Sequence, residues 1–236
     1  MYKVVISDLD GTLLNNQHHV STHTRKILKK MVAEGTKFVV ATGRHHIDVK
    51  AIRDALGLEI YLVTSNGAVV TDKQDQIIFN RTLPEDIAQE LSELPLPDPE
   101  IAVNIYTPDA WYTNKEMPEY LEYHRDTGFC YIKTDLTKLD KSSINKYFFI
   151  AEHEPLLELE NTLLERYQGQ LSIAFSQPDC LEVMALGINK GAAITSILEQ
   201  NNIPLDSAIA FGDGMNDYEM LSIVGHGVVM GNAHDR

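Results

Sequence analysis

The residues with the clearest chemical potential are two carboxylates, Asp8 and Asp10, that follow a short apolar segment near the start of the chain. In an extended backbone, residues i and i+2 point to the same side, so we expect the two carboxyl groups to lie close together where a strand ends. Their mutual repulsion favours a bound cation, a shared proton, or both. Gly11 permits a sharp turn directly after the pair. A plain turn after a strand is the alternative, whereas a calcium loop is excluded because Leu13 and His19 stand where it needs Gly and Glu.

A second polar group, Thr42-Gly43-Arg44, follows another apolar segment and precedes a predicted helix. A hydroxyl, a backbone amide and a cation at a helix start suit a phosphate, because helix N-termini carry partial positive charge and free N–H groups. Arg44, His45 and His46 oppose the helix dipole there, and a nearby anion would remove the conflict. The alternatives are that Thr42 caps the helix and that both histidines lie on its surface.

Two further groups occur in the last quarter of the chain. Lys190 lies in the first turn of a predicted helix, again at the positive end, where a solvated lysine is the alternative interpretation. The segment 212–217 follows an apolar strand and contributes Asp213 and Asp217, which are hard oxygen ligands that suit magnesium. Capping of the following helix is the alternative role for Asp217.

The composition restricts the class of protein. The chain has 236 residues, of which 44% are hydrophobic and 23% charged, as in a globular protein with one large or two small domains. The formal net charge of −14 repels nucleic acid and anionic membranes, so we expect neither as a partner. Cys130 and Cys180 are too few for a disulfide framework, and no signal peptide precedes Asp8, so the sequence favours a cytoplasmic protein with reduced thiols. No apolar run approaches the roughly 20 residues of a membrane span, and the sequence carries no signal for the oligomeric state.

The four polar groups need elements that bring them to one place. Two parts of the chain alternate strands with helices, with strands expected at 3–7, 37–41, 60–64, 208–211 and 227–230 and helices at 21–34, 47–56, 190–200 and 217–224. This rhythm predicts an α/β fold with a Rossmann-like parallel sheet and right-handed crossovers. The intervening region has helices at 84–94 and 155–167 and strands at 101–106, 111–113, 147–150, 171–175 and 181–185. We therefore expect a core from residues 1–82 and 188–236, interrupted by an inserted α+β domain at 83–187.

In this order, the four groups resemble the motifs of the haloacid dehalogenase superfamily of aspartate-nucleophile phosphotransferases. The segment 8–12 matches the first motif, Thr42 the second, Lys190 the third and 212–217 the fourth. The inserted domain resembles the α+β cap of the Cof-type phosphatases in this superfamily. Local matches at 43–46, 64–68 and 180–184 are similar to bacterial members that act on pyridoxal phosphate and some sugar phosphates.

The resemblance implies a Mg²⁺-dependent phosphatase of a small phosphorylated metabolite, either pyridoxal phosphate or a sugar phosphate. It implies that Asp8 is the nucleophile that forms an aspartyl-phosphate, that Asp10 is the general acid and base, and that the cap closes over the site. The implied metal ligands are Asp8, the backbone carbonyl of Asp10, Asp213 and, through a water, Asp217. The implied phosphate-binding residues are Leu9, Thr42, Gly43, Lys190 and Asn216. The resemblance also implies that Thr42 and Lys190 are catalytic and that Lys190 pairs with Asp8 and keeps it ionised. The candidate specificity residues are Arg44, His45, Asn66 and Glu182.

Several alternatives remain open at this point. A phosphatase of another small ester, such as a hexose phosphate or a mononucleotide, fits equally, because the motifs contact only the phosphate. A non-catalytic phosphate sensor on the same fold is disfavoured by the presence of both Asp8 and Asp10, and a nucleotide-binding dehydrogenase by the missing Gly-x-Gly-x-x-Gly turn. Relatives of this type usually continue for a further helix and strand, so we also expect a truncated core with an exposed apolar strip at 228–230 that is prone to association.

Overall fold

The computed structural model describes residues 2–233, and its contacts divide the chain into two compact units. The first unit comprises Met1–Phe79 and Asn189–Arg236, and the second comprises Asn80–Ile188. The sequence-based boundaries were 82/83 and 187/188. The cap role that the resemblance implies for the second unit stays a prediction.

Strands and helices mostly alternate through the first unit, whereas the second unit has several pairs of consecutive strands. The strands are β1 Val4–Ser7, β2 Lys37–Ala41, β3 Tyr61–Thr64, β4 Val69–Thr71, β5 Ile77–Asn80, β6 Ala102–Tyr106, β7 Trp111–Thr113, β8 Tyr131–Lys133, β9 Lys146–Ile150, β10 Leu171–Gln177, β11 Cys180–Ala185, β12 Ala208–Gly212 and β13 His226–Val229. The α-helices are α1 Thr22–Ala33, α2 His46–Leu56, α3 Glu85–Ser92, α4 Pro118–Tyr123, α5 His153–Tyr167, α6 Lys190–Gln200 and α7 Tyr218–Ile223.

The first unit is built on a seven-stranded sheet with the strand order β13-β12-β1-β2-β3-β4-β5. The five strands from β13 to β3 are parallel, while β4 pairs with β3 in the antiparallel sense. Successive residues of β2 enter opposite cores: Phe38 and Val40 pack in one apolar cluster, Val39 and Ala41 in another. Burial on both faces explains why the central strands are continuous apolar runs. The predicted α/β fold class with a parallel-sheet core is therefore confirmed.

The second unit has a six-stranded sheet with the order β10-β11-β9-β6-β7-β8, in which all the described pairs are antiparallel except β7 with β8. One face packs on α3 and α5 through an apolar cluster that includes Leu91, Leu159 and Phe149. The other face carries an aromatic cluster around Trp111 and Tyr106. The two clusters use alternate residues of the same strands, as a sheet with two covered faces requires.

Four elements are absent from the sequence-based prediction, namely β4, β5, α4 and β8. All four are short, between three and six residues, so they carry too few residues for a period to show. Every residue of β5 is exposed, so burial leaves no pattern there either. Near the predicted apolar strip, Val229 has 63% of its surface exposed, while Val228 and Met230 are half-buried. Within residues 2–233, no helix is both long enough and apolar enough to cross a membrane.

Candidate active site

Four polar groups of the first unit come to the same edge of its sheet. Asp8 directly follows β1, Thr42 directly follows β2 and Asp213 directly follows β12, and these three strands are adjacent and parallel. The carboxyl ends of parallel strands are the usual place for a site in open α/β sheets. Lys190 begins α6, which is capped by the side chain of Asn189 accepting from the amide of Ala192 at 2.7 Å.

Lys190 is a buried ammonium held between two carboxylates. Its Nζ donates to Oδ1 of Asp8 at 2.7 Å and to Oδ1 of Asp217 at 2.6 Å, and the residue is only 1% exposed. The solvated-lysine interpretation of this residue is therefore wrong. Burial by itself disfavours the ammonium, but the charges of Asp217 and Asp8 outweigh it and raise the pKa of Lys190 above its ordinary value.

Asp217 organises the loop that follows β12. Its Oδ2 accepts hydrogen bonds from the backbone amides of Asp213 and Gly214, both at 2.9 Å. The side chain makes no capping hydrogen bond to α7, so it ties the preceding loop together and does not cap the following helix. Oδ1 of Asp213 accepts from the hydroxyl of Thr12 at 2.7 Å, and its Oδ2 accepts from Nδ2 of Asn232 at 3.0 Å.

Thr12 and Asn232, the two side chains that hold Asp213, were not among the predicted site residues. Thr12 lies inside the first motif, two residues after Asp10. Its hydroxyl, next to two aspartates, was the feature from which a role in the site could have been predicted. Asn232 follows the last strand and carried no signal, because its partner is 19 residues away, with α7 and β13 between them.

The carboxylates of Asp8, Asp213 and Asp217 form a compact group that fits a divalent cation. One oxygen of each lies within 4.8 Å of the others. Burial raises the pKa of Asp8, the charges of Asp217 and Asp10 raise it further, and only Lys190 opposes them. Burial also raises the pKa of Asp213, with the charge of Asp217 adding to the effect. A bound cation would offset the repulsion among these carboxylates. Carboxylate oxygens are the hard ligands that suit Mg²⁺.

The carboxylate of Asp10 is held by Arg44. Nε of Arg44 donates to Oδ2 of Asp10 at 2.7 Å, and Nη2 donates to Oδ1 at 2.6 Å. The remaining terminal nitrogen, Nη1, donates to Oδ2 of Asp48 at 2.9 Å. Asp48 was not among the predicted site residues. It lies four residues after Arg44, but Arg44 precedes the first residue of α2, so the i, i+4 spacing of a helix does not identify this pair. The structure thus places Arg44, predicted as a specificity residue, against the predicted acid and base.

The segment after β2 differs from the sequence-based interpretation. Helix α2 begins at His46, and its N-cap is His45, whose Nδ1 accepts from the amide of Ile47 at 3.2 Å. Thr42 therefore does not cap this helix, because it lies too far before it. Its hydroxyl accepts from the amide of Arg44 at 3.2 Å. The surface interpretation is also wrong for His45, which is 1% exposed.

A buried turn between β3 and β4 contacts the other motifs. Ser65, Asn66 and Gly67 all have left-handed backbones, with φ of 48°, 57° and 99°. The amide of Asn66 donates to the carbonyl of Thr42 at 3.0 Å, and its Oδ1 accepts from Nδ2 of Asn216 at 3.1 Å. A Cβ on Gly67 would lie 2.6 Å from the carbonyl oxygen of Asn189. The structure therefore places Asn66, a predicted specificity residue, against the predicted phosphate-binding Asn216.

Glu182, the remaining predicted specificity residue, belongs to the second unit. It is 3% exposed, and its Oε1 accepts from Nζ of Lys146 at 2.5 Å. The same Nζ lies 4.9 Å from the ring centroids of Tyr106 and of Phe148. Lys146 was missed, because a single lysine in an apolar strand has no spacing that identifies its partner.

Comparison with known proteins gives one consistent family. The sequence model of the haloacid dehalogenase-like hydrolases matches residues 5–236. A putative phosphatase of Haemophilus influenzae is 38% identical over 237 residues, which cover 100% of this chain and 87% of the relative. An HMP-PP phosphatase of Yersinia pseudotuberculosis is 36% identical over 233 residues, covering 99% and 85% respectively. The structure of a haloacid dehalogenase-like hydrolase from B. subtilis superimposes with a TM-score of 0.87 and 28% identity, covering 99% of this chain and 90% of that one.

Proposed function

The chain belongs to the haloacid dehalogenase-like hydrolases and is a phosphoric monoester hydrolase, and we propose that it hydrolyses a small phosphorylated metabolite through an aspartyl-phosphate on Asp8. The observation that carries this proposal is the position of Asp8. Its carboxylate lies at the end of β1, ion-paired to Lys190 and grouped with two further carboxylates. The ion pair favours the ionised, nucleophilic form of Asp8 against its burial.

In the first half-reaction, an oxygen of Asp8 bonds to phosphorus while the bond from phosphorus to the leaving oxygen breaks. Asp10 gives its proton to the departing alkoxide, so that the alcohol leaves neutral. Lys190, Asn216, the hydroxyl of Thr42 and the amides of Leu9 and Gly43 hold the phosphoryl oxygens. Because a phosphate ester repels an anionic nucleophile, this positive and hydrogen-bonding surface supplies much of the catalysis.

In the second half-reaction, Asp10 is a carboxylate and takes a proton from a water molecule. The water oxygen bonds to phosphorus, the bond to Asp8 breaks, and inorganic phosphate leaves. Asp8 is thereby returned as a carboxylate, and Asp10 regains its proton. A residue that serves first as acid and then as base contributes roughly 10²–10⁴-fold in each direction.

Magnesium fits the carboxylate group described above. As the family resemblance implies, Asp8, Asp213 and the backbone carbonyl of Asp10 would hold it, and Asp217 would hold it through a water. Bound there, it would offset the negative charge shared by phosphate and carboxylates. Thr12 and Asn232 support this role by fixing the carboxylate of Asp213.

We propose pyridoxal phosphate or a sugar phosphate as the substrate, with Arg44, His45, Asn66 and Glu182 as the residues that select it. HMP-PP is a second candidate, because the relative from Yersinia pseudotuberculosis that is 36% identical carries that name. The free thiols of Cys130 and Cys180 support our proposal that the protein acts in the cytoplasm.

The test is a panel of phosphate esters assayed with Mg²⁺ and with a chelator in its place. The panel contains pyridoxal phosphate, hexose phosphates, mononucleotides and HMP-PP, and Asp8→Asn is the control for contaminating activity. We expect phosphate release that needs both Asp8 and the metal, with at least one clearly preferred ester. Release that survives chelation would contradict the metal assignment, and a flat profile across the panel would contradict the proposed substrate class.

A further inference from the structure

Arg44 joins two carboxylates that lie on different elements of the first unit. Two nitrogens of its guanidinium donate hydrogen bonds to the two oxygens of Asp10, at 2.6 Å and 2.7 Å. The third nitrogen donates to Asp48 at 2.9 Å. A contact through two parallel N–H donors fixes the orientation of a carboxylate as well as its position. The plane of the Asp10 carboxylate is therefore set by Arg44, and the plane of Arg44 is set in turn by Asp48.

The exposed fractions of the three side chains indicate that Asp48 orients Arg44 and that Arg44 orients Asp10. Asp48 is 0% exposed and Arg44 is 8% exposed, whereas the side chain of Asp10 is 30% exposed. Asp48 is thus out of reach of any substrate, while Asp10 is open to one. Asp48 lies in the first turn of α2, so the fixed end of the arrangement is a helix of eleven residues.

We propose that Asp48 and Arg44 are positioning residues that hold the Asp10 carboxylate in the orientation needed for proton transfer. This inference rests on the proposed function, in which Asp10 is the acid and base. Proton transfer needs a heavy-atom separation of about 2.6–3.2 Å, and a misplacement of about 1 Å can cost roughly 100-fold in rate. A lysine at position 44 has a single charged nitrogen and cannot reproduce three directed contacts to two carboxylates.

If Arg44 and Asp48 position Asp10, the loss of rate on replacing either of them should depend on the leaving group. A general structural role does not predict this dependence. An alkoxide is strongly basic, so its departure depends on the proton that Asp10 supplies. The p-nitrophenolate ion is weakly basic and departs without that proton. Loss of orientation at Asp10 should therefore slow the first half-reaction of an alkyl phosphate and spare that of p-nitrophenyl phosphate.

The experiment compares these two leaving groups in single turnover, with enzyme in excess and Mg²⁺ present. In Asp48→Asn, we expect release of the alcohol from the best alkyl ester of the panel to slow by about 10- to 100-fold. We expect release of p-nitrophenolate to slow by less than threefold, and the KM for both esters, measured separately at steady state, to stay within about twofold. Asp75→Asn is the matched control, because Asp75 pairs with Arg53 of the same helix at 3.0 Å and should leave both rates unchanged.

Arg44→Lys provides a second variant and should show the same selective loss, which keeps the test decisive if Asp48→Asn does not fold. Equal slowing of both esters, or no slowing of the alkyl ester, in a folded variant would overturn the positioning role. Asp10→Asn separates this inference from the proposed function. If Asp10→Asn turns over alkyl esters like the unaltered protein, the proposed acid and base is wrong. If Asp10→Asn fails while Asp48→Asn and Arg44→Lys are unaffected, only the positioning role is wrong.

Discussion

Lys190 shows how one side chain can serve both the stability of the site and its chemistry. It places a positive charge between Asp8 and Asp217, all three of which are nearly or fully buried. The sequence predicted its pairing with Asp8 through the resemblance to a family motif. The second partner was not predicted, because the path of the loop that carries Asp217 depends on backbone amides that have no sequence signature.

Replacing Lys190 by Met should cost about 3–5 kcal/mol of unfolding free energy, because two buried carboxylates lose their partner. Urea denaturation measures this cost, and phosphatase activity should fall by at least about 10²–10³-fold. Adding Asp217→Asn to this variant should restore part of the stability, because one buried charge is removed, but it should not restore activity. A Lys190→Met protein as stable as the unaltered one would contradict the buried ion-pair network.

The raised pKa values of Asp8 and Asp213 make cation binding dependent on pH. Because burial raises both values, protons compete with a cation over a range that extends above the ordinary pKa of an aspartate. Without metal, the folded state binds more protons than the unfolded state in this range, so its stability falls as pH rises. The increase in Tm on adding Mg²⁺ should therefore be larger at pH 8 than at pH 5. A shift independent of pH, or one retained in Asp213→Asn, would count against this metal site.

At the scale of elements, the turn between β3 and β4 connects the separate motifs. Ser65–Gly67 contacts Thr42, Asn216 and the backbone of Asn189, which caps α6. The left-handed backbones of Ser65 and Asn66 are a form of local strain that persists where the surroundings fix it, as at functional sites, whereas Gly67 adopts a positive φ at little cost. The sequence singled out this segment only through its local resemblance to family members.

Gly67→Ala tests the close approach of this turn to α6. The new Cβ would lie 2.6 Å from the carbonyl oxygen of Asn189 at a φ of 99°. We expect a loss of about 3 kcal/mol or more in unfolding free energy, with a large drop in activity. Gly35→Ala is the matched control, because Gly35 has a similar φ of 94° but no atom within 4 Å of a Cβ. Gly35→Ala should cost only about 1–2 kcal/mol and leave kcat unchanged. Equal effects of the two changes would contradict the close approach of the turn to α6.

The long elements could be predicted from the sequence, and the contacts between side chains could not. The central strands β1, β2 and β12 are buried on both faces and therefore appear as apolar runs. Helices α1 and α6 have the 3.6-residue period and end signals. The Asp10–Arg44–Asp48 arrangement and the Lys146–Glu182 pair depend on how neighbouring elements bring the side chains together, which no spacing in one sequence records.

At the scale of the whole molecule, each unit has apolar clusters of its own. The clusters around Leu91 and Trp111 lie within the second unit, and those around Val39 and Val40 lie within the first. A unit with its own core can fold independently when it is of ordinary domain size. The inserted unit should thus be a domain in the physical sense, and not merely a long loop of the first.

The fragment 80–188 should therefore fold by itself. We expect it to show a mixed α/β circular dichroism spectrum and a cooperative urea transition. Trp111 should report this transition by fluorescence, because it is 1% exposed in the aromatic cluster. Trp111→Ala, which lacks the only tryptophan and is followed by circular dichroism, is the matched destabilised variant and should cost about 3–5 kcal/mol. A fragment without a cooperative transition would show that its core depends on the rest of the chain.

The most direct measurement of the central claim is the search for a phosphoryl group on Asp8 during turnover. The protein is mixed with its best ester and Mg²⁺, quenched in acid within milliseconds, digested, and examined by mass spectrometry of the peptide that contains residues 4–14. We predict one phosphoryl group on Asp8, removed by hydroxylamine as an acyl phosphate and missing in Asp8→Asn, which should also have lost turnover. An Asp8→Asn protein that still hydrolyses the ester, or a quenched protein that carries its phosphoryl group on another residue, would contradict the account.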